Sequence, residues 1–231
     1  MAGRARDYSP RHDSDERSRK FARTENGRAP GPFRRAFYVE PGHLQQRSAE
    51  AVGALREKME IHIIDGQDLP GPVHAFEDLP LPTYAAENLR LRSITVPTPI
   101  QAQGIPIVLQ GRDFIGISQT GTGKTLAFLL PALIHIDDQL QSGHTNGPVA
   151  LVLAPTRELA LQIAEEATKV AKGGRIWTTC FYGGGPKWQQ IQDAKEGMQI
   201  LVATPGRLLD FLDNSRDQVV DLRRVTFLVL D

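Results

Sequence analysis

From about residue 76 onward, short apolar runs alternate with longer stretches whose apolar positions recur at helical spacing. The runs at 114–117, 151–154, 176–182, Ile200–Ala203 and Phe227–Leu230 are rich in Val, Ile, Leu and Phe and show little in–out alternation, as expected of strands buried on both faces. Between them, helices are predicted over 82–91, from Pro99 with Thr98 at the cap, over 124–141, 157–172, 188–195 and 206–212. Strands separated by helices form βαβ units, so the pattern predicts an α/β fold: a parallel sheet covered on both faces, with ligands at the carboxyl ends of the strands. Upstream, 44–59 reads as one amphipathic helix, and 61–64 as a brief strand closed by Asp65-Gly66. Pro70-Gly71-Pro72 then breaks the chain. Three segments follow from this pattern: residues 1–35, a flank over 36–75, and a compact body over 76–231.

Charge sharpens the first boundary. The 231 residues contain 27 Lys and Arg against 27 Asp and Glu, yet residues 1–35 carry ten basic residues and only five acidic ones. A basic arm therefore precedes a mildly acidic body. The arm has few apolar residues to offset its ordering entropy and is expected to be disordered. It would add salt-sensitive attraction to nucleic acid or act as a solvated tail, and both readings stand. Hydrophobic residues make up 40% of the chain, enough for a globular core. No apolar run approaches a membrane span, and the polar N-terminus lacks the apolar stretch of a secretory signal. The single cysteine, Cys180, fits a reducing compartment and reads as core or sheet face. These features imply a soluble protein of the nucleus or cytoplasm. The six histidines show no zinc-ligand spacing. The acid pairs Asp137-Asp138 and Glu165-Glu166 read as solvated helix faces.

The loops after the apolar runs carry the candidate chemistry. Ser118-Gln119-Thr120-Gly121-Thr122-Gly123-Lys124-Thr125 joins a strand-like run to a helix. Such a turn aims backbone N–H groups and the positive end of a helix dipole at one point, where a polyphosphate fits. Thr120, Gly121, Thr122 and Gly123 form the cradle, Lys124 reaches the outer phosphates, and the Thr125 hydroxyl can ligate Mg²⁺. Ser118 stands where the general phosphate-loop pattern has Gly. Pro155-Thr156-Arg157-Glu158, Gly183-Gly184-Gly185 and Thr204-Pro205-Gly206-Arg207 occupy equivalent places after later runs, and taken singly each reads as ordinary turn or helix-entry chemistry.

In this order, with Pro97-Thr98-Pro99-Ile100-Gln101 upstream and Val229-Leu230-Asp231 at the end, the motifs resemble the first RecA-like domain of a DEAD-box ATP-dependent RNA helicase. The resemblance covers about residues 76–231. It implies a RecA-like P-loop sheet flanked by helices, with ATP and Mg²⁺ as cofactors and RNA as partner, in a monomeric protein. Gln101 is implied to read the adenine edge, which an amide can do with one donor and one acceptor, and Phe76 to stack on the ring. Pro155, Thr156, Arg157, Gly184, Thr204, Gly206 and Arg207 are implied to hold the sugar-phosphate backbone of single-stranded RNA. Lys124 and Asp231 are the implied catalytic residues, Asp231 holding Mg²⁺ through water. Ser93-Ile94 and Ser118 depart from the family pattern.

Asp231 corresponds to the first residue of the Asp-Glu-Ala-Asp motif, so the RecA-like sheet is expected to be incomplete at the C-terminus. In the family a further strand lies between those carrying the phosphate loop and the aspartate. The sequence therefore reads as the N-terminal part of a helicase that unwinds short RNA duplexes, with weak or no ATP turnover expected of the 231 residues alone. The alternative is a short non-catalytic ATP- or RNA-binding module.

Overall fold

Among the described residues four short strands build the sheet: β1 (Ala150–Leu153), β2 (Thr178–Phe181), β3 (Ile200–Ala203) and β4 (Phe227–Leu230). All lie parallel, in the order β2-β3-β1-β4. The computed structural model describes residues 33–142, 147–213 and 219–231. In the central strands Ala150, Val152, Ile200 and Val202 turn to one face, where they meet the larger core, and Leu151, Leu201 and Ala203 turn to the other. Burial on both faces explains the continuous apolar runs.

The helices in chain order are α1 (Gly42–Gln45), α2 (Ala49–Lys58), α3 (Thr83–Leu91), α4 (Pro99–Leu109), α5 (Lys124–Gln141), α6 (Arg157–Ala171), α7 (Lys187–Glu196) and α8 (Pro205–Asp213). α6 buries Ala160, Ile163, Ala167, Val170 and Ala171, a stripe at helical spacing, against the larger core. Its N-cap Thr156 accepts from Leu159 N at 3.3 Å. On the opposite face, Phe211 of α8 packs on Phe181, with ring centroids 4.3 Å apart, and joins Leu208, Leu201 and Met198. No helix among the described residues is long and apolar enough to cross a membrane.

Several expectations are corrected. The run at 114–117 is not a strand. It borders a groove of about 710 Å³ whose other wall is β4, and no neighbouring strand supplies a hydrogen-bond ladder. Ile115 and Ile117 are 91% and 85% exposed, and Leu228 and Leu230 of β4 are 59% and 75% exposed. The resemblance implies a further strand in this position. Residues 61–64 also form no strand: 62–64 lie exposed after α2, and no strand among the described residues pairs with them. The single helix expected over 44–59 divides into α1 and α2 around Ser48, whose hydroxyl caps α2 by accepting from Ala51 N at 3.2 Å. Asp137 is half-buried rather than solvated: Tyr84 Oη donates to it at 2.9 Å, and burial pushes its carboxyl above the usual range. Glu166 pairs with Arg92 at 2.7 Å. Cys180 lies on β2 against the larger core, where burial pushes its thiol up to about 12.

The basic arm lies outside the described residues except for Phe33, Arg34 and Arg35. The Phe33 and Phe37 rings meet the His135 ring edge-on, at 5.7 and 5.8 Å, and the N–H groups of Phe37 and Tyr38 donate to Leu109 O at the end of α4. The flank therefore rests on the same helix that begins at Lys124.

Candidate nucleotide and RNA site

The phosphate loop is closed by its own side chains. Lys124 Nζ donates to Ser118 O at 2.6 Å and Gln119 O at 2.8 Å, so the ammonium sits among loop carbonyls. The Ser118 and Thr122 hydroxyls are 2.8 Å apart, and Thr122 also donates to Gln119 O at 2.8 Å. Ser118, the departure from the family pattern, thus helps to hold the loop's curl. Gly123 ends the loop at φ +88°, in the left-handed region, and is the N-cap of α5. A side chain there would run into the Gln101 amide. Thr125 is half-buried in the first turn of α5, while Thr120 and Gly121 are exposed.

Lys124 and Asp231 line the same groove. Asp231 is exposed at the end of β4, with its N–H held by Leu153 O at 3.0 Å. The Thr125 hydroxyl and the Asp231 carboxylate are hard oxygen donors suited to Mg²⁺. Among the described residues there is no group of three or more His, Cys, Asp or Glu that could hold a metal ion.

Gln101, on α4, is 1% exposed. Its Oε1 accepts from the Thr98 N–H at 3.0 Å, and its Nε2 donates to Gly123 O at 2.9 Å. Both ends of the amide are engaged inside the protein. Phe76 opens a single 3₁₀ turn (Phe76–Asp78) and is 6% exposed, packed in the core with its ring side buried. Neither residue presents an open face in this structure.

The other motifs converge at the carboxyl ends of β1, β2 and β3. Pro155, Thr156, Arg157, Gly184 and Gly206 are exposed, and Thr204 is half-buried. The Arg157 guanidinium lies over the Tyr182 ring, 4.8 Å from its centroid, and borders Gly184, where an added Cβ would stand 3.7 Å from Nη1. Thr204 ties β3 to β2 through its N–H, which donates to Phe181 O at 2.8 Å. The Arg207 side chain is only 12% exposed. It reaches Gly185 O at 3.4 Å and Asp210 at 3.7 Å, so it braces the glycine loop rather than facing solvent.

Sequence reasoning missed three contributors. Tyr182 positions Arg157. Lys187 pairs with Asp210 at 3.1 Å and sets Nζ 5.0 Å from the Phe211 centroid. Gln190, 2% exposed, clamps the backbone of Tyr182, accepting from its N–H at 3.2 Å and donating to its carbonyl at 3.1 Å. The apolar spacing of α7 signals which way that helix faces, but nothing in the sequence signals that a buried Gln would secure the loop.

Residues 98–231 match the DEAD/DEAH box helicase family. The chain belongs to that family. It is 47% identical over 200 residues to DEAD-box ATP-dependent RNA helicase 20 of Arabidopsis thaliana, covering 87% of this chain and 39% of that protein. It is 48% identical over 199 residues to probable ATP-dependent RNA helicase DDX17 of Homo sapiens, covering 86% of this chain and 27% of that protein. The RNA helicase Prp28 of Chaetomium thermophilum, solved with ADP, superposes with a TM-score of 0.73 at 34% identity over 84% of this chain and 46% of that one. The chain spans less than half the length of these relatives. The DEAD-box likeness places the parallel sheet and its flanking helices in the RecA-like class, and the phosphate loop falls within the matched residues.

Proposed function

We propose that this chain binds ATP with Mg²⁺ and the backbone of single-stranded RNA, and that it serves an ATP-dependent RNA helicase that separates short duplexes. The observation that carries this reading is that Lys124 shares a groove with Asp231 at the end of β4, while the Arg157, Gly184 and Thr204 motifs follow the carboxyl ends of β1, β2 and β3.

On phosphate binding, Lys124 exchanges the Ser118 and Gln119 carbonyls for outer phosphate oxygens, and the loop N–H groups take the remaining charge. Thr125 would hold Mg²⁺ directly and Asp231 through water; when bound, the ion neutralises charge on the phosphates. Gln101 couples base to loop: to read adenine its amide gives up one of its two internal partners, so adenine recognition and the position of Gly123 are linked. Phe76, buried in this structure, requires a ring face to be uncovered before it can stack. Arg157 supplies forked donors to RNA phosphates, the Gly184 and Gly206 backbones allow close approach, and sequence preference is low.

The direct test has two parts. Fluorescent ATP and a labelled single-stranded RNA are titrated separately onto the chain in the presence of Mg²⁺. Binding of both is expected; loss of nucleotide binding in Lys124→Ala with RNA binding retained assigns the two ligands to separate motifs. Failure of the wild-type chain to bind either ligand would overturn the reading.

A further inference from the structure

Trp188 occupies the second position of α7 and is 66% exposed. The chain contains two tryptophans. The other, Trp177, precedes β2 at the amino end of the sheet, with its ring against Gly197. Trp188 follows β2 at the carboxyl end, directly after the glycine loop that carries Gly184. Helical side chains tilt toward the N-terminus, so the indole leans back toward that loop. Its base is rigid. Gln190 clamps α7 to both backbone groups of Tyr182, and Lys187 fixes the first turn to Asp210. Tyr182 cannot serve as an open ring, because Arg157 covers its face. Trp188 is therefore the broadly exposed aromatic ring among the described residues after this end of β2.

We infer that Trp188 is a stacking platform for one base of the bound RNA strand. The inference rests on the proposed RNA reading and deepens it. Backbone contacts at Arg157 and Gly184 hold phosphates without regard to sequence, and the bases of an unpaired strand keep open π-faces. An exposed indole on a helix anchored at Lys187 and Gln190, beside a cationic, glycine-lined surface, offers such a face a partner. Any base can stack, so the contact adds affinity without base identity. It also distinguishes single strands from duplexes, whose bases are already stacked.

The test uses the full 231-residue chain carrying Trp177→Phe, which leaves Trp188 as the fluorescent reporter. Oligoadenylate is expected to quench its emission, and Trp188→Ala to weaken binding by about 5- to 100-fold. An oligonucleotide with the same ribose-phosphate backbone and no bases should bind the Trp188-containing protein as weakly as oligoadenylate binds Trp188→Ala, and should show no further loss with that variant. Unchanged affinity in Trp188→Ala, with intact and base-free strands bound equally, overturns the platform while leaving backbone recognition in place. No binding of either strand by the Trp188-containing protein overturns the RNA reading and the platform together.

Discussion

The Gln101 amide and the Gly123 carbonyl, joined at 2.9 Å, connect the entry of α4 to the pivot of the phosphate loop. The same carbonyl accepts from Ala127 N at 3.2 Å in the first turn of α5. Gln101→Ala removes the buried donor and also the acceptor that caps Thr98. Leaving the Thr98 N–H without its partner and the Gly123 carbonyl with Ala127 N alone is expected to destabilise the chain by about 1–3 kcal/mol. It should also weaken ATP binding and bring ATP and GTP affinities together. Urea midpoints check the first effect, and competition titrations of the two nucleotides check the second. A variant that keeps its preference for ATP would remove Gln101 from base recognition.

Lys124 donates two charge-assisted hydrogen bonds to the loop that it is proposed to exchange for phosphate oxygens. Each hydrogen bond of this kind contributes about 1.5–3 kcal/mol. Lys124→Ala is therefore expected to lower ATP affinity at least about tenfold. Fold stability should change less, because the ammonium lies at a partly exposed loop rather than in the core. Isothermal titration with ATP and Mg²⁺, paired with thermal unfolding, separates the two effects.

Most of the fold was legible because the central strands are buried on both faces and the helices carry stripes such as Ala160, Ile163 and Ala167. Pattern failed where it depends on a neighbour. Residues 114–117 have strand composition, but a strand needs a ladder, and the groove beside β4 supplies none. Residues 61–64 failed for the same reason. In the site, Arg157 and Gly184 stand together after β1 and β2, whereas Lys124 borders the groove beside β4 after a run that forms no strand. The burial of Phe76, the double engagement of Gln101 and the bracing role of Arg207 are tertiary facts with no local sequence signal.

Arg157 is exposed over Tyr182, at the edge of the glycine loop. A phosphate contact releases counterions, so Arg157→Ala should weaken RNA binding similarly for all sequences and lower the salt slope by about one. Tyr182→Leu keeps the charge but removes the ring that positions it. Its expected effect is a smaller loss of affinity with the salt slope retained. Binding measured between low and moderate salt for the two variants distinguishes charge from placement.

His135 is surrounded by Phe33, Phe37 and Phe227, and its Nε2 lies 2.7 Å from Thr226 Oγ1 and 2.9 Å from Gln139 Nε2. Burial lowers its pKa below the usual 6.5; Asp138 opposes the shift and Arg35 adds to it. The unfolded chain therefore binds a proton below about pH 6.5 that the folded chain resists. This contribution to stability is present above that pH and falls as the pH drops. The raised carboxyl of Asp137 has the opposite sign, its contribution falling as the pH rises above its ordinary 3.8. His135→Gln is expected to flatten the dependence between about pH 7.5 and 5.5, measured as the shift in urea midpoint. An unchanged slope would assign it to other groups.

β4 presents its outer edge to the groove, with Leu228 59% exposed beside the unpaired segment at 114–117. Unpaired strand edges template further pairing, and apolar side chains along them strengthen it. Concentration-dependent association of the chain through this edge is expected, and Leu228→Lys should reduce it by placing a charge where a neighbouring strand would dock. Leu209 on α8 is 57% exposed but lies on a helix, with no backbone ladder to offer. Leu209→Lys should leave association unchanged. Sedimentation velocity of the two variants over a range of concentrations separates edge pairing from apolar stickiness: equal suppression by both would mean that exposed leucines, not the strand edge, drive the contact.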